Sequence, residues 1–434
     1  KKAVTGCGTR LISLNDQVTA LDKYADLKLQ YKIGSEALAV DSLAEGLARE
    51  LGESIEFSSK LDQTGISSDE MRLLVESVRS SMKICVVYNP AALSGDAVLR
   101  VKRLLKIIAK IPTIECGAIP AAPATNAVGA IDMGLTPDYY PGGVSVLDEA
   151  KVKELWGENA PTQAGWSALE MIEKAKSGEL KALWVHRSNL AVDFPGGTKI
   201  VDALKNLELL VVHDMLETET TRLAKIVLPS NGPGFDEGTT TNIGGRVQYR
   251  RAALEANNIS DWKLVTMMLK KLGDEKNYSR ITKVLEEISL KVPGYQEINS
   301  RLIGNLGINR DKVSYQETSP ENVMGSKKTK GKLRLRIATY LFAHDKVLDA
   351  SSMLAHHFKP STAYLHEFDA ANIGVCDGDT VCLYSNEIKI EAEVIVDNRC
   401  ESGGVVVPKI SDEQGVNGLA NLDNEPVWLD IKKI

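Results

Sequence analysis

Segment 209–250 places two short apolar runs directly before stretches of polar and glycine-rich sequence. The first run, 209–212, leads into His213-Asp214, and the second, 226–229, leads into residues 230–250, rich in Gly, Thr and Asn. Strands of a parallel sheet that is covered on both faces read as continuous apolar runs. Ligands of such sheets bind beyond the carboxyl ends of the strands. The segment therefore predicts a parallel α/β sheet whose polar edge meets a ligand or a partner.

The same segment resembles the molybdopterin oxidoreductase superfamily. The family's "T-E-T…A-D-V-V-L-P" signature is matched by Glu219-Thr220, Leu223-Ala224 and Val227-Leu228-Pro229. Its "E-G-T-x-x-N-x-E-G-R-V-Q" continuation is matched by Glu237-Gly238-Thr239, Thr241-Asn242 and Gly245-Arg246-Val247-Gln248. The sequence departs from this pattern at Lys225, where the family usually has Asp, and at Gly244, where it usually has Glu.

Length and composition exclude several other classes of protein. A chain of 434 residues that is 43% apolar and 25% charged is long enough for two or three globular domains. Its net charge of −6 gives no reason to expect nucleic acid as a partner. No window reaches the length of apolar sequence that a direct membrane span requires. The start of the chain lacks an initiator Met and a signal-peptide core, so we expect it to lie inside a longer polypeptide.

Cysteine and histidine spacing argues against a metal site written in the sequence. The six cysteines contain no C-x-x-C pair, so neither a zinc knuckle nor an iron–sulfur cluster motif is present. We expect the cysteines to be small buried hydrophobic residues in a reducing compartment, as Cys85 in an apolar run suggests. The pair His356-His357 is too close in sequence for both to share one helix face. We predict no metal ligand and no catalytic residue.

Periodicity predicts an α/β region followed by a β-barrel. Residues 1–312 alternate apolar strands with amphipathic helices, which predicts parallel β-α-β units in two lobes, with a boundary near residue 80 and a crossing near 120–180. Residues 313–332 are polar and lysine-rich and predict an exposed linker. Residues 333–434 contain short strands and an Asp377-Gly378-Asp379 turn, which predicts a compact barrel.

Further resemblances cover most of the chain. Asp16, at the end of the first predicted strand, stands where the family has the Asp of "D-P-R", which helps read the guanine of the pterin dinucleotide. Asn189 matches the Asn of the family's "G-x-N-P", with Arg187 in place of the Gly. Residues 373–381 resemble the family's C-terminal, double-psi-like barrel. The segment 126–143, including Asp132, most resembles the large iron–sulfur subunit of respiratory NADH–quinone oxidoreductase (complex I).

The resemblance implies vestigial cofactor-binding positions at Asp16, Asn189, Asp214, Glu219, Glu237, Asn242 and Arg246. Each also has an ordinary structural interpretation. Asp214 and Glu219 could cap a helix beginning near Thr220, side chains of 239–242 could bond loop backbone, and Arg246 could pair with Glu237 or Asp236. We favour these structural roles. The bulk of Arg187 in place of Gly either tightens an anion site or fills it, and we favour filling.

Taken whole, the chain resembles the cofactor-free, molybdopterin-type C-terminal domain of the complex I iron–sulfur subunit. That resemblance implies a scaffold that contacts other peripheral-arm subunits on the cytoplasmic side of the bacterial inner membrane. It also implies iron–sulfur clusters in a preceding N-terminal part. The alternative is a formate dehydrogenase-like enzyme that binds molybdopterin guanine dinucleotide and whose cluster domain is missing. A third hypothesis is a small-anion module using Arg187, Arg222 and Arg246.

Overall fold

The computed structural model describes residues 6, 8–52, 60–90, 93, 95–121, 125–274, 276–315, 332–338, 351, 353, 361–385, 388–408, 416–420 and 427–434. Most of the predicted linker (316–331) and the pair His356-His357 lie outside these residues. The chain divides into two compact units. The first unit comprises the described residues of Lys1–Pro120, Val192–Gly197 and Pro320–Ile434, and the second those of Ala121–Ala191 and Thr198–Ser319.

The strands assigned within the described residues are numbered here in chain order. They are β1 (Ile12–Asn15), β2 (Leu27–Gln30), β3 (Lys83–Tyr88), β4 (Glu115–Pro120), β5 (Tyr139–Tyr140), β6 (Val144–Ser145), β7 (Ala182–His186), β8 (Leu209–Asp214), β9 (Ile226–Pro229), β10 (Gly238–Thr241), β11 (Arg246–Arg250), β12 (Ile308–Asn309), β13 (Leu333–Ala338), β14 (Thr362–Leu365), β15 (Thr380–Ser385), β16 (Ile388–Val396), β17 (Gly404–Pro408) and β18 (Trp428–Lys433). The pairs β1–β2 and β3–β4 are parallel, and so are the pairs β7–β8 and β8–β9, as the alternating sequence pattern predicts.

The α-helices are numbered in the same way. They are α1 (Glu36–Glu50), α2 (Leu61–Thr64), α3 (Ser68–Arg79), α4 (Gly95–Ala109), α5 (Ala127–Asp132), α6 (Glu149–Trp156), α7 (Ala168–Ser177), α8 (Leu190–Asp193), α9 (Thr198–Lys205), α10 (Glu219–Leu223), α11 (Asp261–Lys271), α12 (Ile281–Lys291) and α13 (Glu367–Ile373). Two short 3₁₀ helices span Asp22–Tyr24 and Val416–Leu419.

The α/β part of the first unit is a layer of helices on two small parallel sheets. Strand β1 pairs with β2, and β3 pairs with β4. Helices α1, α3 and α4 enclose a core that includes the fully buried Leu47 and Ile108. Helix α3 begins with a capping box, in which Ser67 and Glu70 satisfy each other's backbone N–H groups. This arrangement leaves the carboxyl end of β1, which leads into Asp16, as the polar end of the first pair of strands.

The C-terminal part of the first unit is a closed barrel of six strands. The order around the barrel is β13-β17-β14-β16-β15-β18, with parallel pairs β13–β17 and β14–β16 among antiparallel ones. Its interior is filled by buried aliphatic side chains, including Leu365, Val394 and Val407. The turn at Asp377-Gly378 forms as predicted, and the Asp377 carboxylate accepts from the Val396 backbone N–H at 2.8 Å. The predicted fold class, an α/β region with a C-terminal barrel, is confirmed.

A buried ion pair joins the barrel to helix α1. Arg334 of β13 donates to both carboxylate oxygens of Glu36, at 2.8 and 3.2 Å. Glu36 is the first residue of α1 and is only 6% exposed. Burial by itself raises the pKa of Glu36. The hydrogen bond and the charge of Arg334 lower this pKa by more than burial raises it, so the pKa lies below the usual 4.5. The ionised carboxylate is therefore the form that stabilises this unit.

We expect the first unit to lose stability as the pH falls below about 4.5 and through the lower folded-state pKa of Glu36. A carboxyl group whose pKa is lowered by folding stabilises the folded state at pH values above its unfolded-state pKa. This contribution is lost once the group is protonated in the folded state. Thermal unfolding followed between neutral and acid pH should show a flatter dependence for Glu36→Gln than for the wild type. The exposed Glu76→Gln in α3 is the matched control and should retain the wild-type slope.

The second unit contains two three-stranded sheets, one of them parallel. Strands β7, β8 and β9 run parallel in that order, and β10, β11 and β12 form an antiparallel sheet. A separate core beneath the antiparallel sheet includes Val247, Leu285 and Ile298. Segment 126–143 contains the helix α5 and the short strand β5, which pairs in antiparallel fashion with β6 directly after the segment. Three of the predicted site positions, Asn189, Asp214 and Glu219, lie at or just after the carboxyl ends of the parallel strands β7 and β8.

The predicted burial of several parallel strands is wrong. In β3, Ile84, Val86 and Tyr88 pack against the core, whereas Lys83, Cys85 and Val87 on the opposite face are exposed. Strand β9 likewise contains no buried residue. A continuous apolar run therefore does not imply coverage of both faces here. The expected burial of cysteines holds for Cys382 and Cys400 but not for Cys85 and Cys376, which are exposed.

Candidate functional site

Strand β7 ends at a residue with unusual backbone geometry. Arg187 has φ of +50°, and it is the non-glycine residue with positive φ among the described residues. The left-handed region costs an L-residue roughly 1–2 kcal/mol and is normally occupied by glycine. This geometry agrees with the glycine that the resembling family carries at this position. The arginine therefore occupies a backbone conformation suited to glycine.

The guanidinium of Arg187 is bonded to protein groups on several sides. Its Nε donates to the Ser230 hydroxyl at 2.9 Å, and its Nη2 donates to the Asn231 carbonyl at 3.0 Å. Nη2 also lies 2.6 Å from Asp236 Oδ2 and 2.7 Å from Asp261 Oδ2. Two carboxylates and two further acceptors thus surround Nε and Nη2 of the guanidinium. Its charge is neutralised within the unit rather than directed at an external anion.

Two histidines lie beside the same carboxylate. His186 Nε2 is 2.9 Å from Asp261 Oδ2, and His213 Nε2 is 3.3 Å from Asp261 Oδ1. His213 is 1% exposed, and burial lowers its pKa, so its imidazole is neutral near pH 7. Burial raises the pKa of Asp261, but hydrogen bonds from His186 and Ser230 and the charge of Arg187 lower it to about 2. Asp261 is therefore ionised.

Asn189 and Glu219, both predicted site residues, are brought together. Asn189 Nδ2 donates to Glu219 Oε2 at 2.6 Å. Asn189 Oδ1 accepts from the backbone N–H and the hydroxyl of Thr220, at 3.2 and 2.9 Å. The N-cap of α10 is Thr218, in a capping box with Thr221, so neither Asp214 nor Glu219 is the N-cap. Both ends of the Asn189 amide are used to hold the start of this helix.

The remaining predicted positions of the second unit make mainly local contacts. Asp214 Oδ1 accepts from the Met215 N–H at 2.7 Å, and Glu237 accepts from the Tyr249 hydroxyl at 3.2 Å. Asn242 Oδ1 accepts from the N–H groups of Gly244 and Arg246, at 2.9 and 3.0 Å, as expected of a loop-stabilising side chain. Arg246 donates to the carbonyl oxygen of Leu306 at 3.2 Å, not to Glu237 or Asp236 as we expected.

The three arginines of the predicted anion module have different partners. Arg187 contacts Asp236 and Asp261, while Arg222 Nε lies 3.0 Å from Glu217 Oε1. Arg246 bonds backbone carbonyls. Each guanidinium is thus committed to a separate local contact. These contacts favour structural roles over a shared anion site.

Asp16, the predicted position in the first unit, is held by the barrel. Its Oδ1 forms an ion pair with Arg336 Nη1 of β13, and the two side chains are 11% and 22% exposed. Burial lowers the pKa of Arg336. Gln30 Nε2 also contacts the Asp16 backbone carbonyl, at 3.4 Å. The carboxylate at the end of β1 therefore has a buried internal counter-ion.

Sequence reasoning missed Asp261 and Arg336 as members of these clusters, and it considered Asp236 as a partner of Arg246 and not of Arg187. Asp261 carries only the ordinary signal of a helix start, after Ser260. Arg336 lies in the run 333–338, where arginine alternates with apolar residues and reads as an exposed strand face. No local spacing in the sequence marks them, because each meets its partner through tertiary contacts.

Comparison with known families gives two matches. The profile of the family described as "Molybdopterin oxidoreductase" matches residues 20–271, more than half of the chain. The profile described as "Molydopterin dinucleotide binding domain" matches residues 344–427. Together they cover most of both the α/β region and the barrel. The second match makes a molybdopterin dinucleotide a candidate ligand of this fold. The contacts of Asp16 and Arg187 within the protein argue against such a ligand.

Three relatives differ in how much of the chain they cover. An alpha subunit of an NADPH-Fe(3+) oxidoreductase from Geobacter sulfurreducens is 26% identical, and the match covers 100% of this chain and 53% of the length of that subunit. An NADH-quinone oxidoreductase subunit from Rhizobium meliloti is 25% identical over 98% and 52%. An alpha subunit of an F420-dependent formate dehydrogenase from Methanocaldococcus jannaschii is 27% identical over 69% and 49%. The chain spans about half the length of these relatives.

A solved structure supports the architecture. The acetylene hydratase of Pelobacter acetylenicus superposes with a TM-score of 0.75 at 12% identity, over 100% of this chain and 75% of that one. At this identity the likeness concerns the fold alone. Among the helices of the described residues, none has the length and apolar character needed to cross a membrane.

Proposed function

We propose, because the chain belongs to the molybdopterin oxidoreductase family, that it is a cofactor-free scaffold within the large iron–sulfur subunit of a respiratory NADH–quinone oxidoreductase. In this role it supports electron transfer from NADH to quinone through clusters held elsewhere in the assembly. Its surfaces dock other peripheral-arm subunits on the cytoplasmic side of the bacterial inner membrane. The region itself performs no chemistry.

The observation that carries this proposal is the backbone conformation of Arg187 together with the contacts of its side chain. A glycine-type backbone conformation holds a bulky side chain whose guanidinium bonds Asp236 and Asp261. A bound phosphate would need either the close backbone approach that glycine permits or an arginine whose charge is not already balanced by neighbouring carboxylates. The Asp16 carboxylate is similarly engaged by Arg336, and the Asn189 amide by Glu219 and Thr220. The residues present do not fit a pterin dinucleotide clamp.

The coverage of the relatives supports the same role. Two relatives that match almost all of the chain are named as an NADPH-Fe(3+) oxidoreductase subunit and an NADH-quinone oxidoreductase subunit. The formate dehydrogenase covers only 69% of it. Similarity that extends through the barrel is therefore found with subunits of nicotinamide-nucleotide oxidoreductases. The N-terminal half of such a subunit is where we place the iron–sulfur clusters.

Elemental analysis of the purified full-length subunit tests the proposal directly. We expect molybdenum and tungsten far below one atom per chain, together with iron from the clusters. Oxidative release of pterins should give no guanine-bearing pterin above background. A molybdopterin enzyme of the same family, purified in parallel, is the positive control for cofactor survival. Stoichiometric molybdenum or tungsten with a guanine-bearing pterin would overturn the cofactor-free proposal.

The second candidate is a molybdopterin-dependent oxidoreductase of the formate dehydrogenase type. It is favoured by the match of residues 344–427 to a dinucleotide-binding domain. In that case a bound cofactor would supply the redox chemistry, and Asp16 would have to exchange Arg336 for the ligand. The same elemental analysis separates the two candidates, because only this one requires a resident molybdenum or tungsten atom.

A further inference from the structure

Three side chains with metal-ligating atoms converge where β7 and β8 end. The ring nitrogens of His186 and His213 and a carboxylate oxygen of Asp261 all lie within 4.8 Å of one another. His186 is the last residue of β7, His213 is paired with it across the parallel sheet, and Asp261 begins α11. The carboxyl edge of parallel strands is where ligands of α/β sheets bind. Three elements thus place their ligand atoms at one point.

The buried nitrogen of His213 has no hydrogen-bond partner. His213 is 1% exposed, and its Nε2 lies 3.3 Å from Asp261 Oδ1 without the alignment of a hydrogen bond. A buried polar atom without a partner is costly and usually marks a functional role or the position of a ligand. The lone pair of a neutral imidazole nitrogen is a preferred donor to Zn²⁺ and related ions. A cation at this point would satisfy the atom.

The charges around the cluster favour a cation. Arg187 contributes one positive charge, and Asp236 and Asp261 contribute two negative charges, all within ion-pair distance. These three charges sum to one net negative charge. Ser230 donates to Asp261 Oδ1 at 2.7 Å, and Arg187 Nη2 lies 2.7 Å from Asp261 Oδ2, as outer-sphere groups commonly support a carboxylate ligand. Arg187 thus orients the carboxylate while Asp236 balances its charge.

We propose that His186, His213 and Asp261 bind a single Zn²⁺ ion or a similar first-row divalent ion. The ion takes the place of the contacts that the imidazoles now make with Asp261. Two histidines and one carboxylate are a ligand set that Zn²⁺ accepts, with bonds of about 2.0–2.2 Å. The His186 side chain is 51% exposed, so a water molecule completes the coordination from the solvent side. This site is independent of any pterin cofactor.

Titration calorimetry with ZnCl₂ tests the proposal on the full-length subunit, prepared without a histidine tag and freed of loosely bound divalent ions by mild chelation that leaves the iron–sulfur clusters in place. We expect one tight equivalent whose affinity falls at least tenfold in His186→Ala. His186 is half-exposed, so this variant should fold normally. With Co²⁺ as probe, the wild type should gain visible absorption bands of a nitrogen-ligated ion. The same bands should be weakened in His213→Gln, which is checked for folding by circular dichroism.

Two control variants keep the test specific. His366→Ala removes a histidine from the barrel unit, and His356→Ala/His357→Ala removes the adjacent pair. Both should bind Zn²⁺ as the wild type does. Equal affinity in wild type and His186→Ala, or loss of binding in the His356/His357 variant alone, would overturn the proposed site. Absence of any binding to the wild type would overturn it as well and would show that the cluster only anchors α11.

Discussion

Replacing Asp132 with alanine should destabilise the second unit by about 3–5 kcal/mol, as the removal of one partner from a buried ion pair does. Asp132 is 1% exposed and lies at the end of α5. Its carboxylate accepts from Arg310 Nε at 2.5 Å and from Nη2 at 3.3 Å. Without it, the Arg310 guanidinium, itself only 14% exposed, remains buried without its counter-ion.

Two tyrosines add to the expected loss. The hydroxyls of Tyr295 and Tyr315 donate to the Asp132 carboxylate at 2.9 and 2.8 Å. Burial, together with the nearby Asp132 charge, raises the pKa of both tyrosines, so each hydroxyl retains its proton and donates. Tyr295 also contacts Thr241 Oγ1 of β10 at 2.9 Å. A single carboxylate therefore connects α5, the antiparallel sheet and the segment that follows β12.

Hydrogen exchange measured by mass spectrometry across a urea series can report this loss for the second unit alone. That readout is preferable to a global transition because the chain has two units. The exposed Asp202→Ala in α9 is the matched control and should change stability by less than about 0.5 kcal/mol. Asp132→Ala/Arg310→Met should recover part of the loss. Unchanged exchange in Asp132→Ala would contradict the structural role assigned to this network.

Local features of the fold follow well from the sequence. Strands β8 and β9 coincide with the two predicted apolar runs to within two residues, because strand formation depends on local apolar patterning and turn residues. Residues 1–312 also contain the predicted amphipathic helices, of which α11 and α12 are examples. The short helix Ala127–Asp132, which contains Gly129, has no comparable local signal in the sequence. That helix is held by tertiary contacts, such as Asn126 Oδ1 accepting from the Thr241 N–H.

The candidate site follows less well, because its contacts join distant parts of the chain. Arg187 is 49 residues from Asp236, and Arg310 is 178 residues from Asp132. Spacing within a motif cannot reveal such pairs, since any charged residue elsewhere could serve as the partner. Arg187, with its left-handed φ, shows how much of the site the sequence can predict. The departure from a family glycine marks the position, while the partners of its charge emerge only from the fold.

The second large effect is expected at the ion pair between the barrel and β1. Arg336→Met should destabilise the first unit by about 3–5 kcal/mol, because Asp16 would remain as a buried carboxylate without its counter-ion. The methionine fills a volume similar to the stem of the arginine, so lost packing contributes little. Urea unfolding followed by hydrogen exchange of the first unit measures the change. Arg399→Met, which removes a 72% exposed arginine paired with Asp397, is the matched control and should cost less than about 1 kcal/mol.

A double replacement tests whether the Asp16 carboxylate serves mainly as the counter-ion of Arg336. If Asp16 serves chiefly as the partner of Arg336, Asp16→Asn/Arg336→Met should be more stable than Arg336→Met alone, with a coupling energy of about 0.5–3 kcal/mol. The amide removes the buried charge that the single variant leaves unpaired. Arg336→Met with the stability of the wild type would mean that Asp16 needs no internal counter-ion, and its carboxylate would then be available to a ligand. The cofactor-free proposal requires the first result.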